Sequence, residues 1–178
     1  MEQRYRVDLS TILDELGAQI ALDENVELDP IIIGSETFIP VAPAHVTVTL
    51  INTGAGVVAQ GAINIDLNSA CSRCLREFIL PAVGNVEGFY VSPAHSDQLP
   101  EEQDYELIAD RSIDLMPTLV AALTIDLPFA PVHDPECKGI CPTCGIDRNE
   151  GSCRCSSETA NEPFAALRDL FPSDEDSG

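Results

Sequence analysis

The chain has 178 residues, 44% of them hydrophobic, with 30 acidic side chains against 9 basic ones and a formal net charge of −21. That balance excludes nucleic-acid affinity through a general cationic field, which depends on lysine and arginine displacing counterions from phosphates. No apolar run approaches the roughly 20 residues of a membrane helix, and the charged start MEQRYRVDLST holds no signal-peptide core, so the expectation is a cytoplasmic protein with one hydrophobic core and attachments.

Residues 9–16 (LSTILDEL) read as a short helix capped by Ser10 and ended by Gly17. Residues 18–33, an acidic run followed by Ile31 to Ile33, read as loop and strand. HVTVTLI at 45–51 is β-branched and alternating, NTGAG turns, and VVAQGAINIDL at 57–67 alternates again, which predicts a hairpin. After Cys71 and Cys74, residues 75–91 (LREFILPAVGNVEGFYV) predict a further strand, bent at Pro81 or Gly84, so that the Cys-x-x-Cys sits at a connection of an antiparallel meander.

Residues 92–104 (SPAHSDQLPEEQD) read as a polar, flexible loop. In IDLMPTLVAALTIDLP, Leu115, Leu119 and Leu123 recur at helical spacing beside Met116 and Val120. Asp114 is the expected N-cap, Pro117 falls in the tolerant first turn and Pro128 is the stop. SSETANE then reads as a linker, PFAALRDLF as a short amphipathic helix, and PSDEDSG as a disordered acidic tail. The expected fold class is α+β: an antiparallel β-meander packed by one central helix, with a C-terminal Cys-rich, zinc-ribbon-like element and a short terminal helix. Its domains are a core over 1–130, a zinc-binding element over 131–156, the linker and helix over 157–171, and the tail over 172–178.

The chemistry concentrates in the cysteines. His133, Cys137, Cys141, Cys144, Cys153 and Cys155 crowd into HDPECKGICPTCGIDRNEGSCRC, while Cys71 and Cys74 stand apart. In a Cys-x-x-Cys-Gly turn the chain doubles back so that two sulfurs face one point, and the glycine accepts the tight conformation that follows. Cys141 and Cys144 with Cys153 and Cys155 make one tetrahedral thiolate set for Zn2+. Cys71, Cys74, His133 and Cys137 make a second set, which would pin the middle of the chain to its C-terminal segment. Spacing alone leaves one zinc ion or two open, because Cys137 can displace Cys153 or Cys155 in a single site.

Seven cysteines, an odd number, fit disulfides poorly. A redox Cys-x-x-Cys pair belongs at a strand-to-helix junction of a βαβ unit, and neither pair reads that way. Arg73, Arg76, Lys138, Arg148 and Arg154, five of the nine cations, lie beside the cysteines. They either offset the charge of zinc-thiolate centres or form a contact surface for RNA or a partner. The three histidines are scattered, and no HExxH, Gly-rich phosphate loop or Ser-His-Asp arrangement is present, so no catalytic residue is proposed and no enzyme expected.

CSRCL at 71–75, DLPFAPVHDPECKGICPTCG at 126–145, CRC at 153–155 and PFAALRDL make residues 45–171 resemble the large ribosomal RNA subunit accumulation protein family, the YceD family. That family accepts Cys or His at the position of His133, which supports the two-site pairing, and some of its members lack the CPxCG half. The resemblance implies a non-enzymatic role in accumulation of large-subunit ribosomal RNA. Combined with the acidity, it suggests a partner that is a basic ribosomal protein or a large-subunit assembly intermediate, with no small-molecule substrate and direct RNA binding disfavoured. The other classes left open are a zinc-dependent protein that contacts pre-ribosomal RNA directly and a CxxC redox protein.

Overall fold

The computed structural model describes residues 4–96, 100 and 104–155. The expected linker, terminal helix and acidic tail lie outside the described residues. The described chain divides into two compact units, one up to Cys137 and one from Lys138.

The first unit is mostly antiparallel strand. Its scaffold is β5 (Ala44–Asn52), β6 (Val57–Ala70) and β7 (Glu77–Val91). Alternation explains β5: Ala44, Val46, Val48 and Leu50 are buried, whereas His45 and Thr47 point outward. The predicted hairpin forms, with His45 opposite Asn64 and Asn52 opposite Val57. β7 then pairs with β6 in one unbroken register from Val57↔Tyr90 to Ala70↔Glu77, through both Pro81 and Gly84.

Further strands complete the sheet. β2 (Gln19–Val26) pairs with β5, β3 (Ile31–Ile33) with β4 (Glu36–Pro40), and β4 continues beyond β5 along the same edge of β6. β8 (Glu106–Leu107) joins the end of β7 in parallel, and β1 (Arg6–Asp8) pairs with β9 (Ser112–Asp114) as a separate two-stranded sheet. Because β4 and β7 both pair with β6, Ile39, Asn68 and Ile79 form one row across the outer face. Ile39 is 48% and Ile79 52% exposed.

The segment expected to be a helix at 9–16 is instead a series of turns. Asn52 explains the difference: its side-chain Nδ2 donates to the carbonyls of Ile12, Leu13 and Glu15, taking acceptors that a growing helix would use. Asp8, not Ser10, supplies the capping oxygen, since Asp8 Oδ1 accepts the Ser10 N–H at 2.7 Å. Gly17 ends the segment with φ +80°. Residues 19–26 are strand despite Asp23 and Glu24, because β2 pairs on one side only and acidic side chains are tolerated there.

α1 (Pro93–Ser96) is a single turn in the expected loop, and α2 (Met116–Asp126) is the expected helix. Its N-cap position is held by Leu115 rather than Asp114. Asp114 still serves the start, since its Oδ1 accepts the N–H groups of Met116 and Tyr5. Leu115, Leu119 and Leu123 are fully buried, and the chain leaves the helix at Leu127, just before Pro128. α2 lies against β7 so closely that a Cβ on Gly84 would come within 2.7 Å of the Ala122 carbonyl carbon. Beside it the Tyr90 hydroxyl bonds Thr118, which donates to Glu106 Oε1 at 3.5 Å. Burial there, helped by the nearby Asp114 charge, raises Glu106 above the usual carboxylate range against the Thr118 bond. No helix among the described residues is long and apolar enough to cross a membrane.

Candidate metal centres

The β6–β7 ladder ends at Ala70↔Glu77, and the six residues between form a knuckle. The Cys71 N–H donates to the Arg76 carbonyl and the Leu75 N–H to the Cys71 carbonyl, both at 2.8 Å. Leu75 adopts φ +63°, a left-handed conformation costing a residue with a Cβ about 1–2 kcal/mol. The folded-back loop turns Cys71 and Cys74 inward.

Residues 131–137 come to this knuckle from far along the chain. The Ser72 N–H and hydroxyl both donate to the Pro131 carbonyl, at 2.8 and 3.0 Å. Arg73 Nη1 donates to the carbonyls of Pro135 and Cys137, at 2.9 and 3.0 Å. These bonds bring His133 and Cys137 to the cysteine pair. Cys71 Sγ lies 3.8 Å from Cys137 Sγ, and Cys74 Sγ lies 3.5 Å from His133 Nδ1. The four donor atoms all fall within 4.8 Å of one another.

Those distances discriminate between chemistries. A disulfide needs sulfurs about 2.05 Å apart. A tetrahedral metal with bonds of about 2.3 Å to sulfur and 2.0–2.1 Å to nitrogen places its donors about 3.5–3.8 Å apart. Cys71, Cys74 and Cys137 are buried in a small cluster flanked by Phe78 and Val132, and the Phe78 ring meets His133 edge-on at 6.3 Å.

The second unit repeats the device locally. The Cys141 N–H donates to the Ile146 carbonyl and the Gly145 N–H to the Cys141 carbonyl, again at 2.8 Å, with Gly145 at φ +74°. An Ile140↔Asp147 bridge and the Arg148 N–H on the Gly139 carbonyl close the hairpin around it. Asn149 Oδ1 accepts the Lys138 N–H, and Asp147 Oδ1 accepts from Asn149. Cys141, Cys144, Cys153 and Cys155 bring their sulfurs within 4.8 Å of one another. Here only Cys141 is buried; Cys153 and Cys155 are half-buried and Cys144 is exposed.

The thiols are electrostatically unequal. At Cys71 burial opposes ionisation, but hydrogen bonds from the His133 ring and from backbone amides of His133, Cys74 and Arg73 bring it down to about 5. At Cys74 the Arg76 amide works downward, yet burial and the neighbouring Cys137 and Cys71 raise it on balance. Amides of Cys144 and Thr143, helped by the Cys153 and Cys144 side chains against burial, bring Cys141 down to about 5. Cys155 is pushed up to about 12, chiefly by Cys144, then by burial and by Cys153 and Cys141. Charge on one sulfur opposes ionisation of the next, at Cys74 from Cys71 and at Cys155 from Cys144, and a cation among the donors would relieve that repulsion. Each group of four can hold a metal ion.

All eight proposed ligands thus fall into the two sets read from the sequence, with Cys137 beside Cys71 rather than in the later cluster. The other histidines have different partners: His45 bonds Asp23 and His95 bonds Ser92. Of the five cations near the cysteines, Arg73 and Arg76 belong to the first knuckle, and Lys138, Arg148 and Arg154 to the second unit. Two residues escaped the sequence reading: Ser72, which clips Pro131, and Leu75, which takes the position of a glycine. Aligning Cys71-x-x-Cys74-Leu75 with Cys141-x-x-Cys144-Gly145 would have exposed the second.

The protein-family model described as large ribosomal RNA subunit accumulation protein YceD matches residues 59–171, spanning the two centres and most of the β6–β7 hairpin. The chain belongs to the YceD family. Among curated relatives, uncharacterised proteins of Mycobacterium bovis and Mycobacterium tuberculosis are 33% identical over 96 residues, covering 51% of this chain and 44% of theirs. An uncharacterised protein of Mycobacterium leprae is 27% identical over 141 residues, 79% of this chain and 54% of its own. The chain spans about half the length of the curated relatives it matches. No solved structure matches it.

Proposed function

We propose that this YceD-family protein is a non-enzymatic ribosome-assembly factor that supports accumulation of large-subunit ribosomal RNA by escorting a basic ribosomal protein in the cytoplasm. The observation that carries the reading is the family match, joined to a net charge of −21. A polyanionic surface attracts a cationic ribosomal protein, speeds the encounter and masks its charges until RNA competes for them.

Within this reading both donor sets hold Zn2+. Thiolate and imidazole donors in tetrahedral sets suit zinc far better than the oxygen-seeking calcium or magnesium. Four protein donors close the coordination shell, so zinc serves as a structural clamp with no position for substrate.

The test is binding of the purified protein to salt-extracted proteins of the large ribosomal subunit and, separately, to large-subunit ribosomal RNA. Capture of one or more basic proteins, lost steeply as salt rises, supports the escort role. Salt-independent capture, no captured ribosomal protein, or tight binding to the RNA alone at roughly 0.15 M salt would refute it.

A further inference from the structure

The two knuckles share one backbone design and differ at one instructive place. In the second, the left-handed position after the cysteine pair is Gly145, which adopts it freely. In the first it is Leu75, which adopts it under strain and stays 65% exposed. Burial therefore does not compensate the strain within the described unit. An exposed apolar side chain held in a sparsely populated conformation points to use by something outside the fold.

A second observation lies at the same end of the β6–β7 hairpin. Ile79 and Ile39 flank Asn68 on the outer face and are about half exposed, in a chain whose formal net charge is −21. Exposed apolar residues on an acidic chain suit a polypeptide that supplies cations around an apolar contact. They suit RNA poorly, because RNA is held by cations, hydrogen bonds and stacking on aromatic or guanidinium planes.

We propose that Leu75, with Ile79 and Ile39, is the docking anchor for the basic protein that this chain binds. The inference rests on the escort role proposed above and gives it a surface. The metal knuckle fixes Leu75 outward between Arg73 and Arg76, the net charge of the whole chain draws in a cationic partner, and the apolar contact holds it.

The experiment compares wild type, Leu75→Gly, Ile79→Asn and Ile125→Ser for binding to salt-extracted large-subunit proteins, with metal content and thermal unfolding measured on each. Ile125 is an exposed apolar residue of α2 and serves as the control. The expectation is that Leu75→Gly keeps its metal and melts no lower than wild type, yet binds about tenfold or more weakly, as loss of an interface anchor does. Ile79→Asn should weaken binding as well, and Ile125→Ser should leave it unchanged. Should Leu75→Gly fold poorly, Leu75→Asn, which tolerates the left-handed region, replaces it. Wild-type affinity in Leu75→Gly, or equal loss in Ile125→Ser, overturns the anchor while leaving the escort role standing. No binding by wild type overturns both.

Discussion

Leu75 and Gly145 hold the same backbone conformation, φ +63° and +74°, and each gives its N–H to the carbonyl of the first cysteine of its pair at 2.8 Å. A Cβ on Gly145 would meet nothing within 4 Å, so only the backbone opposes a side chain there. Gly145→Ala should therefore destabilise the second unit by about 1 kcal/mol. Leu75→Gly should stabilise the first by up to about 1 kcal/mol, the gain reduced by the freer unfolded chain. Thermal and denaturant unfolding read both. Opposite signs would mean that the shared geometry does not set the energetics.

Arg73 ties the first knuckle to the segment carrying His133 and Cys137. Arg73→Ala should leave the strands formed but weaken metal binding by about 10–100-fold, the usual effect of losing an outer support of a ligand. Competition with a coloured chelator measures it. An unchanged affinity would show that the Ser72 bonds to Pro131 suffice.

The two centres should surrender metal at different rates. The donors Cys71, Cys74 and Cys137 are buried, whereas Cys144 is exposed with Cys153 and Cys155 half-buried. Chelator plus an alkylating reagent, followed by mass mapping, should mark the four thiols of the second unit first. Cys71, Cys74 and Cys137 should be marked only as the first unit opens. A single rate for all seven cysteines would contradict this ordering.

Glu106 offers a pH-dependent test away from any metal donor. Burial raises its carboxyl above the usual range, so the folded chain binds this proton more tightly than the unfolded chain does. Its stabilising effect is complete at pH values below the ordinary 4.5 and is lost as pH rises through the elevated folded value. Glu106→Gln keeps the Thr118 bond without the charge. It should raise the denaturant midpoint at neutral pH, with the advantage over wild type vanishing in acid. An advantage that persists below pH 4.5 would assign the effect to packing instead.

Local chemistry was readable where one segment decides its own structure. The alternation of β5 and β6, the Leu115, Leu119 and Leu123 spacing and the Cys-x-x-Cys turns all act over a few residues. What escaped the reading depends on distant partners. The turns at 9–16 are set by the Asn52 amide some 40 positions later, which no window around Ser10 contains. β2 was obscured because Asp23 and Glu24 argue against a strand until its pairing with β5 is seen. For the candidate centres, the pairing of Cys71 and Cys74 with His133 and Cys137 was suggested by arithmetic and resemblance, while its cause, the clips from Ser72 and Arg73, is tertiary.

The donors of the first centre are split by about 60 positions, with α2 and β9 between them. During synthesis Cys71 and Cys74 emerge first, and they have no mates until residues 133–137 follow and fold back. Loading a cation there closes a long loop, so it rewards a chain whose intervening elements are already in place and penalises one whose elements are not. A cation taken up there would thus serve as a late check on newly made copies, because its four donors gather only once the segments between them have folded.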